Sequence, residues 1–536
     1  MNKIIELYLY IEGILSSAKF AVVIITLFAI ALVYGTFQES YHGAVFAGRL
    51  VYKSWWFMGI EALMFLSIFM ATMVRLPVKK RLYGFYVIHA GLLTIFIGSF
   101  FTYVNGVDGS IQLLPNTPAK KLVINEDVLR IDFMGDNKSF KVPLPKTAFA
   151  KDLDIDVNGI QINTFLPSAE LKTTWIEDPM MSTSQHSGHF QIFNDMVSQE
   201  VILSLSDKSD FKSMQKMGPL TLHYMPFLLK DCFLKKDPSG YIIWNLTNGE
   251  CFTPKEKSLI VDKTDKGTNF VLLEDGKGKY IKFFPDFSPV PVLDDLSKDM
   301  NSPYRVLSKN LFKDKPNLFI FGEDIVYYKK RKKDWIGLSL KDDIAKLPWM
   351  SFKLRLIKHS NDSFPVETPS YIRPIQDSGE IVKGDLKAVQ VTLGNNTYWL
   401  NSNAPLALSN GKSEIRLMLT AKEIKLPYQL TLNKFKMNKN PGTNNPASYE
   451  SFVQLLDGRS TDGVTKHHVY MNNPLKYDDF TFYQASYFPI GPEQYGSVLS
   501  VNYDPGRFLK YLGCFLTVFG SIWHYIINRK RKKATA

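Results

Sequence analysis

Residues 75–109 read RLPVKKRLYGFYVIHAGLLTIFIGSFFTYVNGVDG, and this stretch decides the fold. It begins with a basic cluster made of Arg75, Lys79, Lys80 and Arg81. An apolar run follows that contains one histidine, His89, and glycines then mark the exit into a long polar region. An imidazole about eight residues inside an apolar span has lost its water and needs a hydrogen-bond partner, a metal or a cofactor. His89 is therefore the first candidate functional residue.

Four apolar segments stand out in the 536-residue chain, at 20–37, 55–74, 82–104 and 511–527. Each is close to the roughly 20 residues that a helix needs to cross the hydrocarbon core of a bilayer. We predict a multi-pass membrane protein with three N-terminal transmembrane helices (about 20–37, 55–74 and 82–104) and one at 508–528, before a basic tail at 529–536. The first helix ends in GTFQ rather than a small-residue cleavage site, so we expect a retained anchor and not a signal peptide.

The positions of the basic residues predict the orientation of these helices. The turn between the second and third helices holds four basic residues, and the tail reads RKRKK at 529–533. Short basic loops stay in the cytoplasm. Both termini should then be cytoplasmic, and residues 105–507 should lie outside. The formal charge of +13 reflects this topology, so it does not indicate a nucleic-acid partner.

The long segment at 105–507 has the pattern of a β-rich domain. Short runs alternate apolar and polar residues, for example at 121–133, 155–165, 388–393, 428–435 and 451–456. Turn-forming residues separate the runs, and we find no internal repeat. We expect an antiparallel sandwich or a curved sheet.

Cysteine spacing and missing motifs exclude several classes of protein. Cys232, Cys251 and Cys514 form no C-x-x-C, which excludes a thioredoxin-like dithiol, and no C-x-x-C-H that would attach a haem covalently. Walker, G-x-S-x-G and H-E-x-x-H motifs are also missing. Cys232 and Cys251 should lie on the oxidising side, and the sequence leaves open whether they pair. We place no catalytic residue in the outer domain.

Trp55, Trp56 and Glu61 lie in the second predicted helix. Tryptophans at this position are typical of the aromatic belt at a membrane interface, and direct contact with a planar ligand is the alternative. The carboxyl group of Glu61 should be protonated, paired or facing a water-filled cleft, or else it snorkels to the outer surface.

His524 in the fourth predicted helix is the competitor of His89 as a candidate ligand. Counting about 1.5 Å per residue from the nearest basic residues, both histidines lie in the cytoplasmic half of the membrane. Neutral imidazole is a common axial ligand of haem iron, and a six-coordinate haem needs a second ligand. Hydrogen bonding within the helix bundle is an equally good account of a single membrane histidine.

Several blocks of the chain resemble the signature sequences of the ResB family. They are SSAKFA (16–21), YGT (34–36), VYKSWWF (51–57), RLP (75–77), GFYVIHAGLL (84–93), GVDGS (106–110), YMNNPL (470–475), FYQASY (482–487) and VNYDPG (501–506). Residues 150–440 contain no block that matches. The order of three helices, an outer domain and a final helix is also the order of the family.

The resemblance implies a role in cytochrome c maturation by the system II route. ResB-like proteins act with a CcsA-type membrane partner to export haem b, non-covalently bound, and to attach it to the C-x-x-C-H motifs of apocytochrome c. Thiol-reducing proteins act on the same substrate. The resemblance makes His89 an axial haem ligand and places the outer domain in the periplasm, on an inner-membrane protein. The partner's tryptophan-rich haem-binding segment is missing here, so we expect a subunit of a haem lyase that is inactive alone. Trp55, Trp56 and Glu61 would then line the haem path.

Two other functions fit part of the pattern. A membrane b-type electron carrier would hold haem between His89 and His524 of one chain and would need no partner. A non-enzymatic membrane-tethered binding module would hold no haem and would tolerate the loss of His89.

Overall fold

A computed structural model of the protein describes residues 2–135, 138–181, 185–235, 240–245, 250–252, 259–263, 269–274, 280–283, 291–292, 304–340, 344–409, 414–442, 446–459, 463–491 and 494–535. The chain divides into two compact units. Unit 1 contains Met1–Glu170 and Pro369–Ala536, and unit 2 contains Leu171–Thr368. The predicted outer region at 105–507 therefore belongs to two units rather than to one.

The described helices are α1 (Asn2–Leu15), α2 (Ala18–His42), α3 (Ala44–Ala47), α4 (Trp55–Met73), α5 (Tyr83–Asn105), α6 (Lys230–Leu234) and α7 (Arg507–Thr535). Serine hydroxyls cap two of the long ones, because Ser17 accepts a hydrogen bond from the Phe20 amide and Ser54 from the Phe57 amide. A π-helical turn, Gly48–Tyr52, joins α3 to the start of α4.

Within the described part of the chain, three helices are long and apolar enough to cross a membrane: Ala18–His42, Trp55–Met73 and Lys80–Asn105. The three predicted N-terminal spans are confirmed. The first helix is longer than predicted, since α2 continues past residue 37 to His42.

The fourth predicted span forms a helix, but its composition does not support a membrane crossing in the same way. Lys510, His524 and Asn528 reduce its apolar character. The helix also continues to Thr535, beyond the boundary predicted at 528, so the basic residues extend α7 instead of forming a separate tail.

The strands of the first half of the chain are β1 (Val107–Leu113), β2 (Pro118–Phe133), β3 (Lys138–Pro143), β4 (Lys151–Val157), β5 (Ile160–Glu177), β6 (Ser187–Phe193), β7 (Ser198–Ser204), β8 (Met214–Met217), β9 (Leu220–Tyr224), β10 (Tyr241–Asn245), β11 (Cys251–Phe252), β12 (Leu259–Lys263), β13 (Asn269–Glu274), β14 (Tyr280–Phe283) and β15 (Pro291–Val292). Those of the second half are β16 (Tyr304–Ser308), β17 (Asn317–Phe321), β18 (Asp324–Lys329), β19 (Asp334–Ser339), β20 (Ala345–Lys346), β21 (Lys353–Ser360), β22 (Ser363–Tyr371), β23 (Ile375–Asp377), β24 (Glu380–Lys383), β25 (Leu386–Leu393), β26 (Asn396–Asn401), β27 (Leu406–Ser409), β28 (Glu414–Lys439), β29 (Pro446–Leu456), β30 (Val464–Val469), β31 (Leu475–Tyr477), β32 (Phe480–Gly491) and β33 (Gln494–Tyr503).

Unit 1 contains a ten-stranded sheet in the order β30-β29-β28-β2-β1-β33-β32-β31, with β27 and β3 on the side of this path. Two of its central strands adjoin long helices in the sequence: β1 follows α5, and β33 precedes α7. One end of the sheet packs against a second sheet that contains β4, β5, β25 and β26, around a shared core that includes Leu129, Phe165 and Val391. The expected sandwich is present in unit 1.

Unit 2 packs two further sheets around one core. The orders are β19-β18-β17-β9-β8 and β20-β21-β6-β7, and the core includes Phe190, Tyr224 and Ile320. β9 and β17 pair in parallel, which differs from the purely antiparallel arrangement that we expected. Their distance in sequence allows this, because a parallel pair needs a long connection.

Candidate functional site

His89 lies on α5 with one of its ring nitrogens fixed. Its Nδ1–H donates a hydrogen bond to the backbone carbonyl of Phe85, at 2.9 Å. A carbonyl only accepts, so this bond puts the proton of a neutral ring on Nδ1 and leaves the lone pair on Nε2. No residue within the described part of the chain hydrogen-bonds to Nε2. The ring is half-buried and is oriented as metal-binding histidines usually are.

Phe85 and Arg75 border His89 on the side that points away from the β-sheets of unit 1. The Phe85 ring lies against His89 with the ring centroids 3.8 Å apart. The Arg75 guanidinium lies over the same phenyl ring, 5.0 Å from its centroid. Tyr86 donates a hydrogen bond to the Arg75 carbonyl, which ties the turn after α4 to α5. Arg75 was predicted only as a member of the basic cluster before α5, and Phe85 was not predicted. The spacing of four residues between Phe85 and His89 could have indicated Phe85.

Aromatic side chains line the contact between α4 and α5 on the side of His89 that is closer to the β-sheets. Phe65 of α4 meets Phe96 of α5 at 6.3 Å between centroids and stacks on Phe69 of its own helix at 6.4 Å. Phe96 follows His89 by seven residues, so both lie on the same face of α5. We call this aromatic surface, made of Phe65, Phe69, Phe85, His89 and Phe96, the α4/α5 face.

Glu61, Trp55 and Trp56 do not meet His89. Glu61 is half-buried and lies one turn before Phe65, which is at the level of Phe96. Along the helix axes it is therefore about 16 Å closer to the β-sheets than His89 is. Trp55 is 85% exposed at the start of α4. Trp56 packs edge-on against Phe57, with the centroids 6.0 Å apart. These three residues thus lie in the N-terminal half of α4, while His89 lies in the N-terminal half of α5.

His524 lies in a tight seam between α5 and α7. Glycines spaced by seven residues face each other across the seam. They are Gly84, Gly91 and Gly98 on α5, and Gly506 just before α7 with Gly513 and Gly520 on α7. A Cβ on Gly91 would lie 2.6 Å from Thr517 Oγ1 and 2.7 Å from the Gly513 carbonyl oxygen. Gly84 meets His524 while Gly98 meets Gly506, so the helices are antiparallel. We call this contact the glycine seam.

The two membrane histidines point to different sides of α5. His89 follows Gly84 by five residues, so at 3.6 residues per turn it is rotated by about 140° from the glycine seam. His524 belongs to the seam, and its Nε2 accepts a hydrogen bond from Asn528 at 2.9 Å. This arrangement does not bring the two imidazoles onto one haem, which disfavours the electron carrier that uses both.

The block VNYDPG has a structural role at the start of α7. The Asp504 carboxylate accepts hydrogen bonds from the Gly506 amide and from Thr102 at the end of α5, and it pairs with Lys510 at 2.6 Å. Arg507 donates to Asn502 and to Thr481 of the sheet. The block therefore fixes the sheet to both helices of the glycine seam.

A buried ion cluster joins the turn after α2 to the sheets of unit 1. Asp127 is 4% exposed and pairs with Arg49 at 2.9 Å and with Lys387. Arg49 also donates to the carbonyl of Thr147. Ion pairs and a hydrogen bond thus hold the segment between α2 and α4 to the β-sheets of unit 1, in addition to the chain connections.

The remaining histidines and cysteines lie apart from His89. His189 pairs with Glu200 and His468 with Glu450, each at 3.0 Å, so both surface histidines contact a carboxylate that their sequence neighbourhood did not reveal. Cys232 and Cys251 form a disulfide, which answers a question that the sequence left open. Cys514 is free and exposed on α7.

A sequence profile of the ResB-like family matches residues 406–494. This range runs from β27 to the end of β32 and contains two of the blocks quoted above, YMNNPL and FYQASY. Residues 406–494 are therefore similar to the ResB-like family. The matched range begins at 406, so part of the stretch at 150–440, in which we saw no block, also carries the family's pattern.

Part of Protein NrfI of Wolinella succinogenes is also similar to this chain. The two are 34% identical over 113 residues, which is 21% of this chain and 12% of NrfI. The matched segment is therefore a small part of the length of that relative.

Proposed function

We propose that this chain acts in cytochrome c maturation, where it carries haem across the cytoplasmic membrane with a CcsA-type partner and presents it to apocytochrome c. The match of residues 406–494 to the ResB-like family and the similarity to NrfI support this role. The orientation of His89 carries the proposal, because its Nδ1–H is held by the Phe85 carbonyl and its Nε2 is left to bind iron. Haem is the cargo of this process and not a resident cofactor.

The α4/α5 face suits a flat apolar molecule that moves outward from His89. Phe65 and Phe96 offer aromatic surfaces along the two helices, and Glu61, Trp55 and Trp56 lie at the outer end of the same route. Arg75 at the inner end brings a positive charge that complements the haem propionates. The second axial ligand would come from the partner, since His524 lies in the glycine seam.

We further propose that α7 crosses the membrane beside α5. Glycines at matching positions let the two backbones approach closely, which is how helices commonly associate in lipid. With α7 as a fourth span, both termini are cytoplasmic and the β-sheets are periplasmic. The disulfide between Cys232 and Cys251 is consistent with an oxidising compartment for unit 2.

In this proposal the outer domain positions the apocytochrome rather than supplying acid–base groups. Each thiol of the C-x-x-C-H motif adds across a haem vinyl group, so a thioether forms with no leaving group. Holding the two reactants close together accounts for much of the acceleration of such a step. Thiol-reducing proteins would keep the cysteines of the apocytochrome available.

The absorption spectrum of the purified complex tests this proposal. The chain is co-expressed with a CcsA-type partner as wild type, His89→Ala and His524→Ala, and each is purified in detergent. We expect a six-coordinate haem in the wild type and in His524→Ala. In His89→Ala the haem should be lost or become five-coordinate, and added imidazole should restore the six-coordinate spectrum.

Two outcomes contradict the proposal. Haem that is retained without the partner and lost in both variants indicates the electron carrier. If no sample contains haem, the result indicates the non-enzymatic membrane-tethered binding module.

A further inference from the structure

A β-hairpin of unit 1 touches the outer end of α2. β23 and β24 pair with each other as a two-stranded hairpin. His42, the last residue of α2, donates a hydrogen bond from Nδ1 to the carbonyl of Pro374, at 2.6 Å. A Cβ on Gly43 would lie 2.9 Å from Cδ1 of Ile381. α2 is long and apolar enough to cross a membrane and ends at His42, five residues beyond the apolar run at 20–37, so the hairpin lies just past the apolar part of this helix.

Large apolar side chains are exposed at this level. Ile375 is 46% exposed and Val382 is 56% exposed on the hairpin. Phe149 is 43% exposed, and its ring meets Phe46 of α3 edge-on at 6.3 Å. Exposed apolar side chains of unit 1 thus lie next to the end of α2, beside the polar contacts of His42 and Gln376.

The charges around the hairpin fit the same surface. Arg373 and Lys383 lie at its base, where they can reach lipid phosphates. Asp377 and Glu380 lie at its turn, where carboxylates need water. This polarity places the base of the hairpin towards the lipid and its turn towards the solvent.

We propose that residues 375–383 form an interfacial anchor that rests on the outer leaflet of the membrane. Val382, Ile375 and Phe149 enter the boundary between headgroups and acyl chains, and the two basic residues contact phosphates. The base of the hairpin is well suited to this role because it is fixed: Ser168 donates a hydrogen bond to the Gly384 carbonyl, and Gly384 packs against Pro374. The anchor sets the height and tilt of the unit 1 sheets above the bilayer. In the proposed function, haem arrives between these sheets and the membrane surface.

A fluorescent label on Val382 tests the anchor. In a Cys514→Ser background, Val382→Cys is labelled with an environment-sensitive nitrobenzoxadiazole dye, and the full chain is reconstituted in vesicles of phosphatidylcholine and phosphatidylglycerol. Ile490→Cys is the matched control, because Ile490 is 44% exposed and lies beside the turn where Gly491 pairs with Gln494. β33 runs ten residues from Gln494 to Tyr503, so this turn is about 30 Å from the membrane end of the sheet.

We expect the label at 382 to emit at shorter wavelength than the label at 490. We also expect quenching by lipids with a nitroxide near the headgroup at 382 and not at 490. Equal emission and equal quenching at both positions would overturn the proposal. Blue-shifted emission that lipid quenchers leave unchanged would overturn it as well, because protein and not lipid would then cover the hairpin. The measurement uses no haem, so its result is independent of the proposed function.

Discussion

A Cβ atom placed on Gly84 of α5 would lie 2.5 Å from the Cβ of His524 on α7. Real Cβ atoms do not approach so closely, so this contact needs glycine at 84. It explains two features of the sequence together. The block around residue 84 begins with glycine because α7 lies against it, and His524 is a packing residue whose imidazole is engaged by Asn528.

The glycine seam predicts that alanine is costly at position 91. The added methyl group would meet the backbone carbonyl of Gly513, which cannot move away without shifting α7. Overpacking of this kind costs about 1–3 kcal/mol. We expect Gly91→Ala to lower the thermal midpoint of the detergent-purified protein by several degrees and to leave the spectrum of bound haem six-coordinate when the partner is present.

Gly59→Ala is the matched control for this prediction. Gly59 is also in the interior of a membrane helix, and a Cβ there meets nothing within 4 Å. Alanine is a better helix former than glycine by about 0.8–1.0 kcal/mol, so its midpoint should stay the same or rise. Equal stability of the two variants would mean that α5 and α7 do not pack as described.

The buried carboxylate of Asp127 predicts a second large effect. Asp127→Ala leaves the guanidinium of Arg49, which is 10% exposed, without its partner, and removing one member of a buried ion pair costs about 3–5 kcal/mol. We expect a strong loss of thermal stability. We also expect faster hydrogen exchange of residues 44–53, which contain α3 and the π-helical turn that carries Arg49.

An exposed ion pair provides the comparison for Asp127. Lys121 and Glu423 pair at 2.8 Å on side chains that are 68% and 42% exposed, and such pairs contribute about 0–1 kcal/mol. Glu423→Ala should therefore change the midpoint little. If Asp127→Ala were equally mild, the cluster would not hold the membrane turn to the sheets.

The sequence predicted the parts of this fold that depend on local composition. The lengths of the apolar runs located α2, α4 and α5, and alternation of apolar and polar residues identified many of the strands. Local patterns could not show which elements meet. Asp127 is 78 residues from Arg49 and 260 from Lys387, so their contact is a property of the folded chain alone.

The sequence also predicted only part of the candidate site: it indicated His89 but not where His524 lies. His89 stood out because a histidine in an apolar run is rare and its surrounding block resembles a known family. The seven-residue spacing of Gly84, Gly91 and Gly98 is visible in the sequence, but its partner stripe lies more than 400 residues later on α7. For that reason His524 was a second candidate ligand in the sequence, whereas the structure puts it on the other side of α5.

The disulfide of unit 2 predicts the thiol content of the native protein. With Cys232 and Cys251 bonded, Cys514 is the cysteine left free. Alkylation of the denatured, unreduced protein should therefore modify one thiol, and prior reduction should raise the number to three. Three reactive thiols without reduction would contradict the bond. Cys232→Ser should destabilise unit 2 by roughly 2–4 kcal/mol, the usual contribution of a disulfide.

Acid should destabilise unit 2 through His186. This histidine is 1% exposed, bonds to the Tyr224 hydroxyl through Nδ1 at 2.8 Å and lies 5.4 Å from the ring of His359. Burial, and then the neighbouring His359, lower the pKa of His186 from 6.5 to about 4. The unfolded chain therefore binds the proton more readily than the folded chain. The free energy of unfolding should be unaffected above pH 6.5, decrease as the pH falls from 6.5 to 4, and lose on the order of 3 kcal/mol across that range.

Hydrogen exchange of strand β6 measures this loss at the place where it arises. In the wild type, exchange of residues 187–193 by opening of unit 2 should accelerate about a hundredfold between pH 6.5 and 4, after correction for the intrinsic rate. His186→Phe removes the titrating group, so its corrected exchange should vary much less with pH even if the variant is less stable at neutral pH. His189→Gln, which changes a partly buried histidine that pairs with the exposed Glu200 on the neighbouring strand, should keep the wild-type dependence. A His186→Phe profile as steep as that of the wild type would assign the acid sensitivity to other groups.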